Sequence, residues 1–208
     1  VKQFDTSKRV NIPQLLERFR TNRFSGYLHF DLDPQVGVVC VQDGHIVAVL
    51  CISDGERFMG HEALLELFRA LQLNNAEIKV YRLESEFVPY VARVCRGRVE
   101  LENQMVRFLD SSRLLEYLEG ERFSGCIRIY TSGEATLIFY SGGRVEGFFV
   151  DGCAGLQNDL DVERSLARDP ECRYDLIRTP DPAQSPVVPL GEINFEKDWL
   201  IVWRELNV

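Results

Sequence analysis

One stretch of this chain occurs twice, and that duplication limits the fold more than any other feature. Leu15-Leu16-Glu17, Phe24-Ser25-Gly26 and Asp43-Gly44 recur as Leu114-Leu115-Glu116, Phe123-Ser124-Gly125 and Gly142-Gly143, each 99 residues further on. Repetition at a fixed offset means one supersecondary unit used twice. Each copy opens with a segment of helical apolar spacing. Asn11 and its counterpart Asp110 both suit the N-cap, where a side-chain oxygen accepts from the orphan amides of the first turn. Pro13 falls early in the first helix, where a missing N–H costs little.

The next segments alternate. Leu28 and Phe30 oppose Tyr27 and His29, and Ile127 and Ile129 oppose Cys126, Arg128 and Tyr130, which is the period of a half-buried antiparallel strand. Val36–Val41 and Thr136–Tyr140 predict second strands, and Ile46–Cys51 and Val145–Val150 third strands. Between them Asp43-Gly44 and Gly142-Gly143 supply the positive φ angles of a type I′ hairpin. Ser25 and Ser124 read as structural, because G-x-S-x-G is absent and no histidine recurs in both copies. In that reading Phe plugs the helix against the sheet, Ser bonds locally in the turn, and Gly admits a close backbone.

The first copy continues into a helix near His61–Leu71 and a strand over Ala76–Leu83; the second echoes it with a helix over Val162–Arg168 and a strand over Tyr174–Ile177. The expected fold class is α+β: two related units, each a helix followed by a three-stranded antiparallel meander, a second helix and a further strand. Phe87, Val91, Val94, Leu101, Met105, Phe108 and Leu109 fall near helical spacing, so a connecting helix, interrupted at Gly97, is expected between the copies. Residues 179–198 carry Pro180, Pro182, Pro186 and Pro189 and read as an extended linker. Trp199-Leu200-Ile201-Val202-Trp203 reads first as a last strand docked on the core, or as a segment crossing to another subunit or starting a further domain. The organisation is thus 1–86, a connector at 87–109, 110–178, and a linker with an apolar terminal segment at 179–208.

The formal charge of −8 argues against phosphate-backbone binding, so no nucleic-acid partner is expected. Six cysteines show no C-x-x-C pair and no histidine at ligand spacing, and four of them lie in apolar runs, so free thiols in a reducing cytoplasm are expected. With no n-region and h-region at the start and no apolar run of about 20 residues, a soluble chain without membrane insertion is expected. His29 and His45 match Arg128 and Arg144 in the second copy, which suits solvated positions better than catalytic bases. Gly55-Glu56-Arg57-Phe58-Met59-Gly60 lacks the Gly-Lys-Ser/Thr ending of a phosphate loop. No G-x-G-x-x-G is present, and no cofactor, metal or catalytic residue is expected.

Leu15-Leu16, Phe24-Ser25-Gly26, Asp43-Gly44-His45-Ile46-Val47-Ala48, Gly55-Glu56 and Glu62-Ala63-Leu64 in the first copy, with Leu114-Leu115, Phe123-Ser124-Gly125 and Gly142-Gly143-Arg144-Val145 in the second, resemble the PATAN-type domain. This is a bacterial family named after the N-terminus of a cyanobacterial regulator. The resemblance implies a non-enzymatic bacterial signalling module acting through protein contacts, with no catalytic residues to carry over. The chain departs from that pattern in having two copies and no receiver domain.

The first expectation is therefore a cytoplasmic module that binds a protein partner. The partner-binding candidates are Arg93, Arg96 and Arg98, which read alternatively as a solvated helix face balanced by Glu100 and Glu102, together with Trp199 and Trp203. An exposed stripe on the connector would be the seam of a homodimer. The alternative is a sensor holding a small molecule between the two sheets, against Tyr130, Phe139, Tyr140 and Phe148.

Overall fold

A computed structural model describes residues 2–5 by their backbone and residues 11–131, 135–150, 169, 171–180 and 187–207 in full. The chain forms two units, one of residues 1–96 with 187–208 and one of residues 97–186.

The first unit contains β1 (Lys2–Asp5), α1 (Ile12–Thr21), β2 (Gly26–Asp31), β3 (Val36–Gln42), β4 (His45–Ser53), β5 (Glu56–Met59), α2 (Gly60–Leu73), β6 (Glu77–Arg82) and α3 (Val88–Arg96). Its antiparallel sheet runs β1-β6-β2-β3-β4-β5. The second unit contains β7 (Arg98–Met105), a 3₁₀ turn (Val106–Phe108), α4 (Ser111–Gly120), β8 (Gly125–Tyr130), β9 (Ala135–Ser141), β10 (Arg144–Val150) and β11 (Arg173–Arg178). Its sheet runs β10-β9-β8-β11-β7. The last described element, α5 (Phe195–Leu206), packs in the first unit against α1 and α2. The fold is α+β with two related units, as the duplicated sequence requires.

The repeated tripeptide does the same work twice. Asn11 Oδ1 accepts from Gln14 N at 3.0 Å and Asp110 Oδ1 from Arg113 N at 3.1 Å, so both helices start on the expected caps. Arg23 and Arg122 then take φ of 47° and 48°. Phe24 O and Phe123 O each accept from the hairpin glycine, Gly44 N and Gly143 N, at 2.8 Å. The serines do not bond within their own turn. Ser25 Oγ accepts from Asp43 N at 2.9 Å, and Ser124 Oγ from Gly142 N at 3.0 Å. Each serine thereby ties the entry of the first strand to the tip of the next hairpin. A Cβ on Gly26 would stand 2.0 Å from Tyr81 O, and one on Gly125 2.1 Å from Ile177 O. No side chain fits there.

The repeat is longer than the matching letters. Lys2 pairs with Val80, which pairs with Leu28; Leu101 pairs with Leu176, which pairs with Ile127. Lys2 and Leu101 are again 99 residues apart. β7 therefore stands to the second sheet as β1 stands to the first. The connecting helix expected over 87–109 is a helix only as α3, and from Arg98 onward the chain is a strand. Gly97 marks the change, because a Cβ there would meet Ile177 Cγ2 at 2.5 Å and Arg178 O at 3.0 Å. Leu101, Met105 and Phe108 keep helical spacing by coincidence, while the β11 ladder supplies the hydrogen bonds that decide the conformation.

Two further expectations are corrected. Glu56–Met59 is not a loop but β5, paired with β4 from Ser53↔Glu56 to Leu50↔Met59. The Trp-rich segment is not a strand. Asn194 Oδ1 caps α5 through Lys197 N at 2.9 Å. Phe195, Trp199, Val202 and Leu206 recur at helical spacing and pack into the first core, while Leu200, Ile201 and Trp203 face out. Five consecutive apolar residues had no alternation to read, and the cap lay outside the run. The helix expected over Val162–Arg168 lies outside the described residues.

The first core is built from Leu28, Phe30, Val39, Val41, Val49 and Cys51 of the sheet with Leu16, Leu64, Leu67 and Phe68 of the helices. α3 lies over β3 and β4 and brings Cys95 to Cys40, which alternates with Val39 and Val41 and so faces away from that core. The second core gathers Leu118 and Phe123 with Ile127, Ile129, Tyr140, Tyr174 and Leu176.

Candidate functional site

The second unit carries a groove of about 690 Å³ between α4, the 3₁₀ turn and the β7–β11 end of the sheet. Val99 and Leu101 of β7 and Tyr174 and Leu176 of β11 line it on the sheet side, and Phe108, Leu109, Leu114 and Tyr117 on the helical side. The register of β7 against β11 shifts between Val99↔Ile177 and Leu101↔Leu176, so residues 98–101 all border the groove, and the 3₁₀ turn presents Phe108, which is 76% exposed. Only Leu118 of α4 is buried, and Leu115 beside it is 55% exposed.

One end of the groove is polar. Arg178 Nε donates to Glu100 Oε1 at 2.5 Å and Arg98 Nη2 to the same oxygen at 3.1 Å. Arg178 Nη2 reaches the Tyr117 hydroxyl at 3.1 Å, and its guanidinium lies 4.9 Å from the centre of the Phe123 ring. Glu100 Oε2 is buried and has no hydrogen-bond partner. Burial pushes the Glu100 carboxyl up, but the hydrogen bonds and charges of Arg178 and Arg98 outweigh it and hold the group below its ordinary range. The site is thus an apolar trough closed at one end by a carboxylate held between two arginines.

The sequence-selected partner candidates separate. Arg93 Nε donates to Pro89 O at 3.3 Å and its guanidinium lies over Tyr90, 4.4 Å from the ring centre. Arg96 donates to Val47 O and Val188 O. Arg96 thereby ties α3 to β4 and to the returning chain in the first unit, while the contacts of Arg93 stay within α3. Arg98, on a strand rather than a helix face, lines the groove of the second unit. Trp199 meets Phe68 edge-on at 5.3 Å, and with Trp203 it borders a separate hollow of about 620 Å³ beside Leu71–Ala76. Sequence reasoning missed Glu100, Phe108, Leu114 and Tyr117 as one site, because only the β7–β11 pairing brings the first two to α4.

The alternative ligand site does not assemble. Tyr130, Phe139, Tyr140 and Phe148 all belong to the second sheet, and Phe139 and Tyr140 are consecutive on β9, so they face opposite sides. Tyr140 packs edge-on to Phe123 at 6.2 Å, and the Tyr130 hydroxyl donates to Asp175 Oδ1 at 3.2 Å. Asp175 also accepts from Arg128 and from Asn103 N, so this buried carboxylate pins the bulge of β7. His61 Nε2 stands 2.8 Å from Asp198 Oδ2 and joins α2 to α5. Among the described residues no group of three or more His, Cys, Asp or Glu could hold a metal, and no helix is long and apolar enough to cross a membrane.

Residues 1–95 match the model of a family described as an uncharacterized protein conserved in archaea, DUF2226. The match ends one residue before the first unit gives way to the second. No curated protein and no solved structure matches the chain. The similarity is to a family known from archaea and carries no function, which overturns the expectation of a bacterial signalling module. That expectation came from short motifs, Phe-Ser-Gly and Asp-Gly, whose work in the fold is to close a turn and admit a backbone.

Proposed function

We propose that this chain is a non-catalytic cytoplasmic protein whose second unit docks an amphipathic helix of a protein partner on α4 and its groove. The observation that carries this reading is the difference between the two copies. In the first unit the α1 and α2 faces are covered by α5, an amphipathic helix burying Phe195 and Val202. In the second unit the equivalent helix leaves Leu115 and Tyr117 exposed beside Phe108 and Leu101. The protein itself therefore displays the kind of element that this surface type accepts. Helix-in-groove docking uses apolar anchors at helical spacing, and the groove presents Leu101, Phe108, Leu114 and Tyr117 to them. The buried thiols of the described residues suit a reducing compartment. The turn motifs shared with PATAN-type domains are scaffold elements in both copies and support a non-catalytic role.

The test is a photo-reactive amino acid at position 115, irradiated in cells that express the full chain. A cross-link to a helix of another protein, lost with Tyr117→Glu, supports the reading. A cross-link to a second copy of the chain identifies a homodimer as the partner. A cross-link confined to residues 151–168 of the same chain means that the groove is filled from within, and the reading fails.

A further inference from the structure

Cys40 Sγ and Cys95 Sγ stand 3.8 Å apart, joining β3 to α3 across a sequence separation of 55 residues. Both are buried, Cys40 completely and Cys95 to within 4%. Two arginines of the first unit are held beside them. Arg57 Nη2 donates to Val94 O and Cys95 O, each at 3.3 Å, while its Nε is buried without a hydrogen-bond partner. Arg96 follows Cys95 directly and is anchored on Val47 O. A thiol pair that served only as packing would need no cation beside it.

We propose that Cys40 and Cys95 are a thiol–disulfide pair, in which a peroxide oxidises Cys95 and Cys40 closes the bond. The two sulfurs are not equivalent. The hydrogen bond shared with Cys40, with the charges of Arg57 and Arg96, lowers the Cys95 pKa against the opposing effect of burial. The hydrogen bond to Cys95 and burial raise that of Cys40. Arg57 bonds the Cys95 carbonyl and Arg96 follows it in the chain, so both cations favour the Cys95 thiolate, and Cys95 is the nucleophile and Cys40 the resolving thiol. The Cys95 thiolate attacks one oxygen of hydrogen peroxide, the O–O bond breaks, and hydroxide leaves and takes a proton from solvent. Cys40 Sγ then attacks the sulfur of the Cys95 sulfenic acid, the S–O bond breaks, and the Cys40 proton leaves with that oxygen as water. Two thiols and one peroxide become one disulfide and two waters. A disulfide needs sulfurs about 2.05 Å apart, so rotation of the two side chains with a small shift of α3 must close about 1.8 Å. α3 ends one residue after Cys95, so a peroxide would enter through local opening of that last turn.

The product would tie α3 to the middle of the first sheet, on the face opposite the α1–α2 core. The experiment treats the reduced full chain with hydrogen peroxide, alkylates free thiols before unfolding, and maps the product by mass spectrometry. The expected result is loss of two hydrogens, a Cys40–Cys95 cross-linked peptide, reversal by dithiothreitol and a melting temperature several degrees higher. In Cys40→Ser, Cys95 should accumulate as a sulfenic acid trapped by dimedone, and in Cys95→Ser, Cys40 should stay reduced. If either variant fails to fold, the map of the native chain still decides. Cross-links confined to other cysteines, or Cys95 carried to a sulfinic acid with Cys40 still free, would overturn the proposal.

Discussion

Leu16 and Leu115 hold the same place in the duplicated unit, yet Leu16 is 2% exposed and Leu115 is 55% exposed. The helices that carry them share a capping mode, a length and a following Arg-Phe-Ser-Gly turn. What differs is the cover. α1 lies against α5, and Ile12 fills the turn before Leu16, whereas α4 has Ser111 at that place. An apolar side chain kept open on one copy and sealed on the other is the mark of a surface with a separate use.

The two leucines should respond differently to substitution. Leu16→Ala should lower stability in urea unfolding by about 2–5 kcal/mol, the range for deleting a core leucine. Leu115→Ala should change it by less than about 0.5 kcal/mol. Equal losses would mean that Leu115 is packed in solution, and the docking surface would then not exist.

Gly26→Ala and Gly125→Ala should each abolish folding of their own unit, because a strand carbonyl stands within 2.1 Å of the new carbon in both. Proteolysis followed by mass spectrometry reads the effect, since each substitution should open cleavage sites in one unit only. A chain that keeps native protection with alanine at both positions would show that β6 and β11 have room to shift.

The helix α5 should behave as part of the first unit rather than as a detachable tail. Trp199→Ala removes the edge-on contact with Phe68 and should lower the unfolding free energy by about 3 kcal/mol. Asp198→Ala breaks the bond to His61, which is half exposed, and should cost about 1 kcal/mol. Amide exchange over Phe195–Leu206 provides a second readout, accelerated in both variants if α5 is docked as described.

Glu100 gives the second unit an acid-sensitive contact. Its folded pKa lies below the unfolded value of about 4.3, so its contribution is fully present above that value and is lost as pH falls through the folded one. Glu100→Gln should therefore flatten the acid side of the stability profile below about pH 5 and leave the neutral side with a constant offset. An acid limb unchanged in the variant would exclude Glu100 as its source.

Much of the fold could be read from local pattern. The alternation of Leu28 and Phe30, the caps at Asn11 and Asp110 and the turns at Gly44 and Gly143 each state their geometry within a few residues. The misreadings share one cause. Residues 98–105 and 199–203 have apolar spacings that fit either helix or strand, and in each case the deciding contact is remote in sequence: β11 for β7, and Phe68 and His61 for α5. The groove was illegible for the same reason, since Glu100 and Phe108 acquire meaning only where β7 and the 3₁₀ turn meet α4.

The sequence by itself determined the duplicated α+β plan, because turn glycines, capping residues and a period of two act through short-range sterics and hydrogen bonds. Tertiary structure alone decided that the repeat begins at the strands β1 and β7, and that the terminal Trp-rich segment is a helix of the first unit. It also decided that Leu16 is closed and Leu115 open. Those outcomes depend on which distant surfaces satisfy the same backbone groups and apolar faces, and neighbouring residues hold no record of that choice.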